Sequence, residues 1–277
     1  MPEGDTILRA AQTLHRALAG HTVTRFESVL PALTRVDDDT PIVGRTLQAV
    51  SAAGKNLLMR FSAPPGDAGA ALVLRTHMRM NGSWHIYRPG ERWRKRVGDM
   101  RIVVGTRDFV AVGFNVPVAE LHTDRSLARA RGLRDLGPDL LADRFDEAEA
   151  LRRLRARGEM TIAEGLLDQR AMAGAGNVFK SEILFACRVH PFTPVRRLDD
   201  AARLAIVQTA RRTLTSSVHA APLGGSMRRT TRRHDPDARL WVYGRGGKPC
   251  RVCGTAIERR VTGLDARSTY WCPRCQA

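Results

Sequence analysis

The chain has 277 residues, 43% apolar and 26% charged, with 45 Lys and Arg against 28 Asp and Glu and a formal charge of +17. That length accommodates two domains and a small module, and the basic balance points to a polyanion, most simply nucleic acid, unless arginine is merely the default surface residue. No apolar run is long enough to span a membrane and residues 1–20 lack a signal-peptide core, which predicts a cytoplasmic, reduced protein whose five cysteines form no disulfide framework.

The chain opens Met1-Pro2-Glu3-Gly4-Asp5. Removal of Met1, which a small second residue permits, exposes a secondary amine beside a carboxylate. An α-amino group titrates near ~8 against ~10.4 for lysine, so far more of it is neutral at pH 7. A neutral proline amine can attack an aldehyde-like carbon, and the resulting iminium stays cationic and drives elimination from the neighbouring carbon. Glu3 is placed to move protons. Ile7, Leu8, Ala11, Leu14 and Leu18 then recur at helical spacing, with Gly20 as a stop,. The amine therefore precedes a helix N-terminus, which disfavours its protonated form and attracts phosphate.

Short β-rich runs at 23–30, 46–51, 57–61, 71–76, 100–104 and 109–112 alternate with Gly, Pro and Asp turns. They predict a sheet-on-sheet domain capped by the first helix. Gly54-Lys55-Asn56 falls between two of these strands, placing Lys55 at a turn; a turn lysine is a solvated charge or a group that steadies a phosphate. Residues 76–84 read as a polar loop in which Met80 is either core or a wedge for a base stack. Residues 64–69 read as a hairpin loop of no evident function.

From about residue 118 the pattern turns helical, with helices predicted at 145–157, 161–167, 178–187 and 199–219. Gly174-Ala175-Gly176-Asn177 joins two of them. Glycines of a dinucleotide fold follow a strand, which argues against that fold here. Between helices they allow close backbone approach, and the free N–H groups of the next helix can hold a phosphate, with Asn177 as its cap. Cys187 ends an apolar helical stretch as a core residue.

Residues 222–277 hold 12 Lys and Arg and 4 Asp and Glu. Within them, Cys250-x2-Cys253 and Cys272-x2-Cys275 are separated by eighteen residues. Two knuckles brought together by a hairpin of that length give a closed, four-thiolate structural zinc site. Arg259, Arg260 and Arg267 lie in the hairpin, where they suit a DNA backbone or are simply solvated.

In order and spacing, Pro2-Glu3-Gly4, Gly54-Lys55-Asn56-Leu57-Leu58, His77 through Trp84, Leu167-Asp168-Gln169, Ala173 through Asn177, Ser181-Glu182-Ile183-Leu184 and the four-cysteine finger with Arg267 resemble the formamidopyrimidine-DNA glycosylase/endonuclease VIII family. The resemblance implies an α+β multidomain protein. Its parts are an N-terminal β-sandwich with the first helix over 1–120, a helix–two-turn–helix domain over 121–223, and an Arg-rich loop with a zinc-finger hairpin over 224–277. It implies a monomeric, bifunctional base-excision enzyme on damaged double-stranded DNA, with one structural Zn2+ and no organic cofactor. Pro2 is then the Schiff-base nucleophile, Glu3 the proton donor, Lys55 the helper in β-elimination and Arg267 in δ-elimination, while Asn177 grips phosphate.

Gly4 and the absence of an Arg-Phe-Gly strand motif resemble the endonuclease VIII branch, whose substrates are oxidised pyrimidines. Filling the gap left by the flipped base then falls to Arg79-Met80-Asn81. Arg79 stands where that branch has Gln, and Asp135 where it has Arg; the adjacent Arg134 is the substitute expected at the DNA. The rival reading is a non-catalytic zinc-ribbon protein that binds DNA or senses damage. A weaker third, an RNA-modifying enzyme, lacks the aromatic stacking motif of a single-strand reader.

Overall fold

A computed structural model describes residues 2–64, 66, 69–220, 228–231, 238–262 and 266–277. The chain divides into two compact units, Met1–Arg134 and Asp135–Ala277.

The first unit begins with α1 (Gly4–Leu18), which buries Ile7, Ala11, Leu14 and Leu18 on one face; Leu8 is only half-buried. Then come β1 (Arg25–Ser28), α2 (Pro31–Asp39), β2 (Leu47–Ala53), β3 (Asn56–Phe61), β4 (Leu72–His77), β5 (Ser83–Tyr87), β6 (Met100–Gly105), β7 (Val110–Phe114), β8 (Val118–His122) and the single turn α3 (Asp124–Leu127). The strands form two four-stranded antiparallel sheets, ordered β1-β6-β7-β5 and β2-β3-β4-β8. Inward-facing Phe26, Leu57, Met59, Phe61, Leu74, Ile102, Val104 and Ala111 share one apolar core with the α1 stripe, which makes the sandwich and its helical cap a single packed body,.

Three features depart from the sequence reading. Residues 118–122, where helical pattern was expected to begin, form β8 on the edge of the β4 sheet. Only Ala119 in it is buried, so the alternation that marks a strand is too weak to read. The 76–84 loop is shorter than expected, because His77 ends β4 and Ser83 starts β5. The helix α2 was not foreseen; Pro31 starts it and only Leu33 anchors it to the core. Of the 64–69 turn, residues 65, 67 and 68 lie outside the described residues.

The second unit holds α4 (Glu147–Arg155), α5 (Ile162–Leu167), α6 (Asn177–Ala186), α7 (Asp200–Ala220) and the hairpin β9 (Glu258–Thr262) with β10 (Arg267–Trp271). Asp146 caps α4, and a capping box of Thr161 and Glu164 starts α5,. Leu154, Ile162, Leu166, Phe179, Ile183, Ile206 and Leu214 form the helical core. Cys187 packs on that core, where burial pushes its thiol up, as expected of a structural cysteine. A smaller cluster of Phe185, Val242, Ile257, Cys250 and Cys272 joins α6 to the hairpin. Among the described residues no helix is long and apolar enough to cross a membrane.

Candidate active site

The direction of α1 is fixed by two contacts with β2. Beyond its C-terminus Gly20 N donates to Leu47 O at 2.8 Å, and three residues before that terminus Val50 N donates to His15 Nδ1 at 3.2 Å. The helix therefore runs antiparallel to β2. From the Gly20–Leu47 contact, at about 1.5 Å per helical residue and about 3.3 Å per strand residue, the helix runs about 24 Å back to Gly4 and the strand about 20 Å on to Ala53,. The N-terminus of α1 accordingly lies at the same end of the sandwich as the β2–β3 turn. Pro2 is half-buried there, and Glu3, the N-cap residue, is fully buried. Asp5 is also fully buried, its Oδ1 accepting from Thr6 N at 2.7 Å, with Arg9 3.6 Å from its Oδ2. Met1 lies outside the described residues.

The β2–β3 turn has two central residues, Gly54 and Lys55, between the paired Ala53 and Asn56. Gly54 has φ 59°, at the first central position, where a two-residue hairpin turn demands a residue at ease with positive φ,. Asn56 closes the turn, its Nδ2 donating to Ala53 O at 3.1 Å. Its Oδ1 accepts from Arg75 Nε at 3.0 Å, and Arg75 in turn donates to Glu120 Oε2 at 2.9 Å, so β3, β4 and β8 all brace the lysine turn. Sequence reading found Gly54-Lys55-Asn56 but missed Arg75 and Glu120, which are linked to it only by strand pairing.

His77 pairs directly with Asn56 across β3–β4. Burial, then the charges of Lys55, Arg79 and Arg75, lower the His77 pKa to about 4. The ring is therefore neutral at pH 7, and its Nδ1 accepts from Arg79 N at 3.1 Å. Arg79 sits at φ 45°, and Gly82 N closes the loop onto Met78 O at 2.9 Å. A Cβ on Gly82 would stand 2.6 Å from that same oxygen, which makes glycine obligatory in so tight a loop,. The outcome separates two methionines: Met78 is core, 2% exposed, whereas Met80 stands out at 59% beside the exposed Arg79. Arg134 is exposed at the end of this unit.

Because Lys55 is a cause of the His77 shift, removing its charge relieves repulsion on the imidazolium. Lys55→Met should therefore raise the His77 pKa above about 4 yet leave it below 6.5, since burial, the larger cause, remains,. An NMR titration of the ring protons reads this, and an unmoved His77 would show that Lys55 points elsewhere.

In the second unit Gln169 ties down the glycine loop, its Oε1 accepting from Gly174 N at 3.0 Å and its Nε2 donating to Ala175 O at 2.9 Å. Asn177 does not cap α6, as expected from sequence. Gly176 is the N-cap and Asn177 the first helical residue, nearly buried. Its Oδ1 accepts from Lys180 Nζ at 2.8 Å, so the donor that the side chain can offer is its NH2,. Lys180, 1% exposed, also donates to Thr269 Oγ1 at 2.8 Å in β10, two residues after Arg267. A buried lysine one helical turn beyond the asparagine was the available signal, and the sequence reading passed over it. Arg267 begins β10 after the residues 263–265, which lie outside the described residues, as do residues 232–237 of the Arg-rich segment.

The thiol sulfurs of Cys250, Cys253, Cys272 and Cys275 all lie within 4.8 Å of one another, with 3.9 Å between Cys250 and Cys275 and 3.4 Å between Cys253 and Cys272. Four sulfurs about 2.3 Å from a central zinc stand about 3.8 Å apart, so the cage fits that ion and leaves no position for water. Hydrogen bonds from Thr255 draw Cys253 down to about 6, whereas burial and the neighbouring sulfurs push Cys275 up to about 12; a cation removes that conflict,. The module is joined to α6 by the fully buried Glu182, whose carboxylate accepts from the backbone N–H groups of Trp241, Val242 and Tyr243 at 2.8–2.9 Å and from the Thr230 hydroxyl.

Three family signatures cover this architecture: the formamidopyrimidine-DNA glycosylase N-terminal domain at residues 1–115, the formamidopyrimidine-DNA glycosylase H2TH domain at 136–229, and a zinc finger found in FPG and IleRS at 247–277. The chain belongs to the formamidopyrimidine-DNA glycosylase/endonuclease VIII family. It is 41% identical over 282 residues to a probable endonuclease 8 2 of Streptomyces coelicolor, covering 100% of this chain and 94% of the relative. It is 37% identical to the DNA-(apurinic or apyrimidinic site) lyase Nei2 of Mycolicibacterium smegmatis, over 100% and 99% of the two chains. A Lactococcus lactis Fpg bound to abasic-site DNA shares the fold, with TM-score 0.80 at 23% identity over 99% of both chains. Membership of this family, and its α+β fold with a four-cysteine finger, are as the sequence motifs implied.

Proposed function

We propose that the chain is a bifunctional DNA glycosylase/AP lyase of base excision repair acting on oxidised bases, pyrimidines in particular. One observation carries the reading: the N-terminus of α1, with half-buried Pro2 and buried Glu3, lies at the sandwich end that also holds Lys55 and His77. The Pro2 nitrogen bonds to C1′ of a flipped nucleotide as the glycosidic bond breaks, and the base leaves with a proton moved by Glu3. The sugar ring then opens as the C1′–O4′ bond breaks and O4′ takes up a proton, which leaves an iminium at C1′ that acidifies C2′; loss of the C2′ proton expels the 3′ phosphate, assisted by Lys55. A second elimination, supported by Arg267, expels the 5′ phosphate. Met80, exposed beside Arg79, fills the vacated stack, while Arg134 contacts the duplex. Asn177, its carbonyl occupied by Lys180, directs an N–H donor to a backbone phosphate,. One zinc, held by the four cysteines, is structural and takes no part in these steps.

A non-catalytic damage sensor accounts for the charge and the zinc module but gives no reason to bury Glu3 at the sandwich end that also presents a lysine turn. Borohydride trapping on a duplex with an abasic site separates the two. Protein beginning at Pro2 should become covalently linked to the DNA, whereas protein retaining Met1 should not. Processed protein that forms no adduct would defeat the enzyme.

A further inference from the structure

The loop between β5 and β6 carries Arg88, Arg92, Arg94, Lys95 and Arg96, and the motifs of the proposed lyase use none of them. We propose that this loop is a second contact for the phosphate backbone of duplex DNA, separate from the lesion end of the sandwich; it rests on the reading that the protein acts on DNA.

The loop is built rather than loose. Trp93 meets Phe114 edge-on at 5.7 Å and Tyr87 at 6.4 Å between ring centres. With Met100 it packs on Tyr87, Val103, Val110, Val112 and Phe114, a cluster distinct from the core between the sheets. The Tyr87 hydroxyl accepts from Arg94 N at 3.2 Å. Trp93 is thus an anchor, and the arginines beside it in sequence, Arg92, Arg94 and Arg96, are exposed.

Uncompensated charge is concentrated in this loop. Some arginines elsewhere find carboxylates, as in Arg25 with Glu27, Arg60 with Asp124, Arg157 with Asp168 and Arg203 with Asp200. Among the described residues, none of the five loop cations forms an ion pair. Glu91, the one acid among residues 88–96, instead accepts from the backbone of Arg88 at 2.9 Å. Burial chiefly, and then the charges of Lys95 and Arg94, lower the pKa of His85. An open hollow of about 560 Å³ runs along residues 91–97. Four positive groups line this shallow hollow, with Arg88 at the start of the loop, and such an array fits a phosphodiester chain, which is read by charge,.

The loop's place in the fold makes this binding surface remote. The strand β5 has the Arg79-Met80 loop at one end and Arg88 at the other. Five residues at about 3.4 Å set the two ends about 15 Å apart, the length of four to five base-pair steps.

The test replaces four cations together (R92A/R94A/K95A/R96A) and measures binding against salt on a 30-base-pair duplex carrying a central tetrahydrofuran abasic analogue. Each phosphate no longer neutralised should flatten the log–log salt slope by about 0.9, so a fall of about 2 or more is expected. The charge-keeping R92K/R94K/R96K should retain the wild-type slope. If the quadruple variant fails to fold, Arg94→Gln and Arg96→Gln singly should each lower the slope by up to about 0.9. On two further duplexes, cut three base pairs to one or the other side of the analogue, the deficit should persist on one and vanish on the other. Unaltered slopes, or an equal deficit on all three duplexes, would overturn the proposal. Trapping by the wild-type protein is read separately: a flattened slope without any wild-type adduct keeps the loop's role and sinks the lyase, and an adduct with an unaltered slope does the reverse.

Discussion

Glu3→Gln should slow excision of an oxidised pyrimidine by roughly 10²–10⁴-fold, the range expected when a positioned proton donor is lost, whereas trapping on a preformed abasic site should fall far less. The two steps ask different things of residue 3. Expelling a base requires a proton to reach the departing group as the C1′–N bond breaks. An abasic sugar has already lost its base, and condensation with the Pro2 amine needs that amine neutral, which an α-amino pKa near ~8 supplies in part at neutral pH. Glutamine preserves the shape of a fully buried side chain at the start of α1 while removing its titratable proton, so the comparison isolates the proton,. Single-turnover excision on a thymine-glycol duplex, run beside borohydride trapping on an abasic duplex, gives the ratio. Equal losses in the two assays would mean that Glu3 holds the helix start rather than moving a proton.

The parts of this site that are contiguous in sequence could be read in it, and the parts assembled by pairing could not. Pro2-Glu3, the Gly54-Lys55 turn and the paired cysteines are local patterns whose chemistry follows from spacing. Arg75 and Glu120 brace the lysine turn only because β4 lies between β3 and β8, and β8 itself is nearly invisible as an amphipathic strand. Asn177 was found but given the wrong local task, because whether a residue is N-cap or first helical residue turns on the backbone of Gly176, which composition does not reveal. Glu182 stood in a recognised motif, yet its carboxylate serves the backbone at 241–243, about 60 residues on. The aromatic packing of residues 88–96 was hidden in the same way: Trp93 meets Phe114, 21 residues on in β7, so no local pattern singled out the arginines beside it.

Replacing Cys250 with Ser should release the zinc, disorder β9 and β10 and weaken binding to duplex DNA, while the sandwich of residues 1–134 stays folded. A two-stranded hairpin is marginal on its own, and this one has strands of five residues each,. Its small cluster counts Cys250 and Cys272 among its own buried members, so the hairpin cannot keep its packing once the cage opens. Zinc binding in such modules is worth about 10–16 kcal/mol in apparent free energy at pH 7, more than the hairpin can replace by other interactions. The damage should travel by two routes inside the second unit. The backbone at 241–243 anchors to Glu182, and Thr269 shares Lys180 with Asn177, so disorder in β10 loosens the asparagine as well as Arg267. A charge-assisted hydrogen bond to phosphate is worth about 1.5–3 kcal/mol, so affinity should drop roughly ten- to hundredfold even if Asn177 keeps part of its grip. Zinc content by native mass spectrometry, amide exchange across 258–271 and binding at fixed salt follow the three effects. Exchange that stays slow across 258–271 after zinc is gone would show that Glu182, Lys180 and the aromatic packing hold the hairpin by themselves. The metal would then be dispensable to the fold of the second unit.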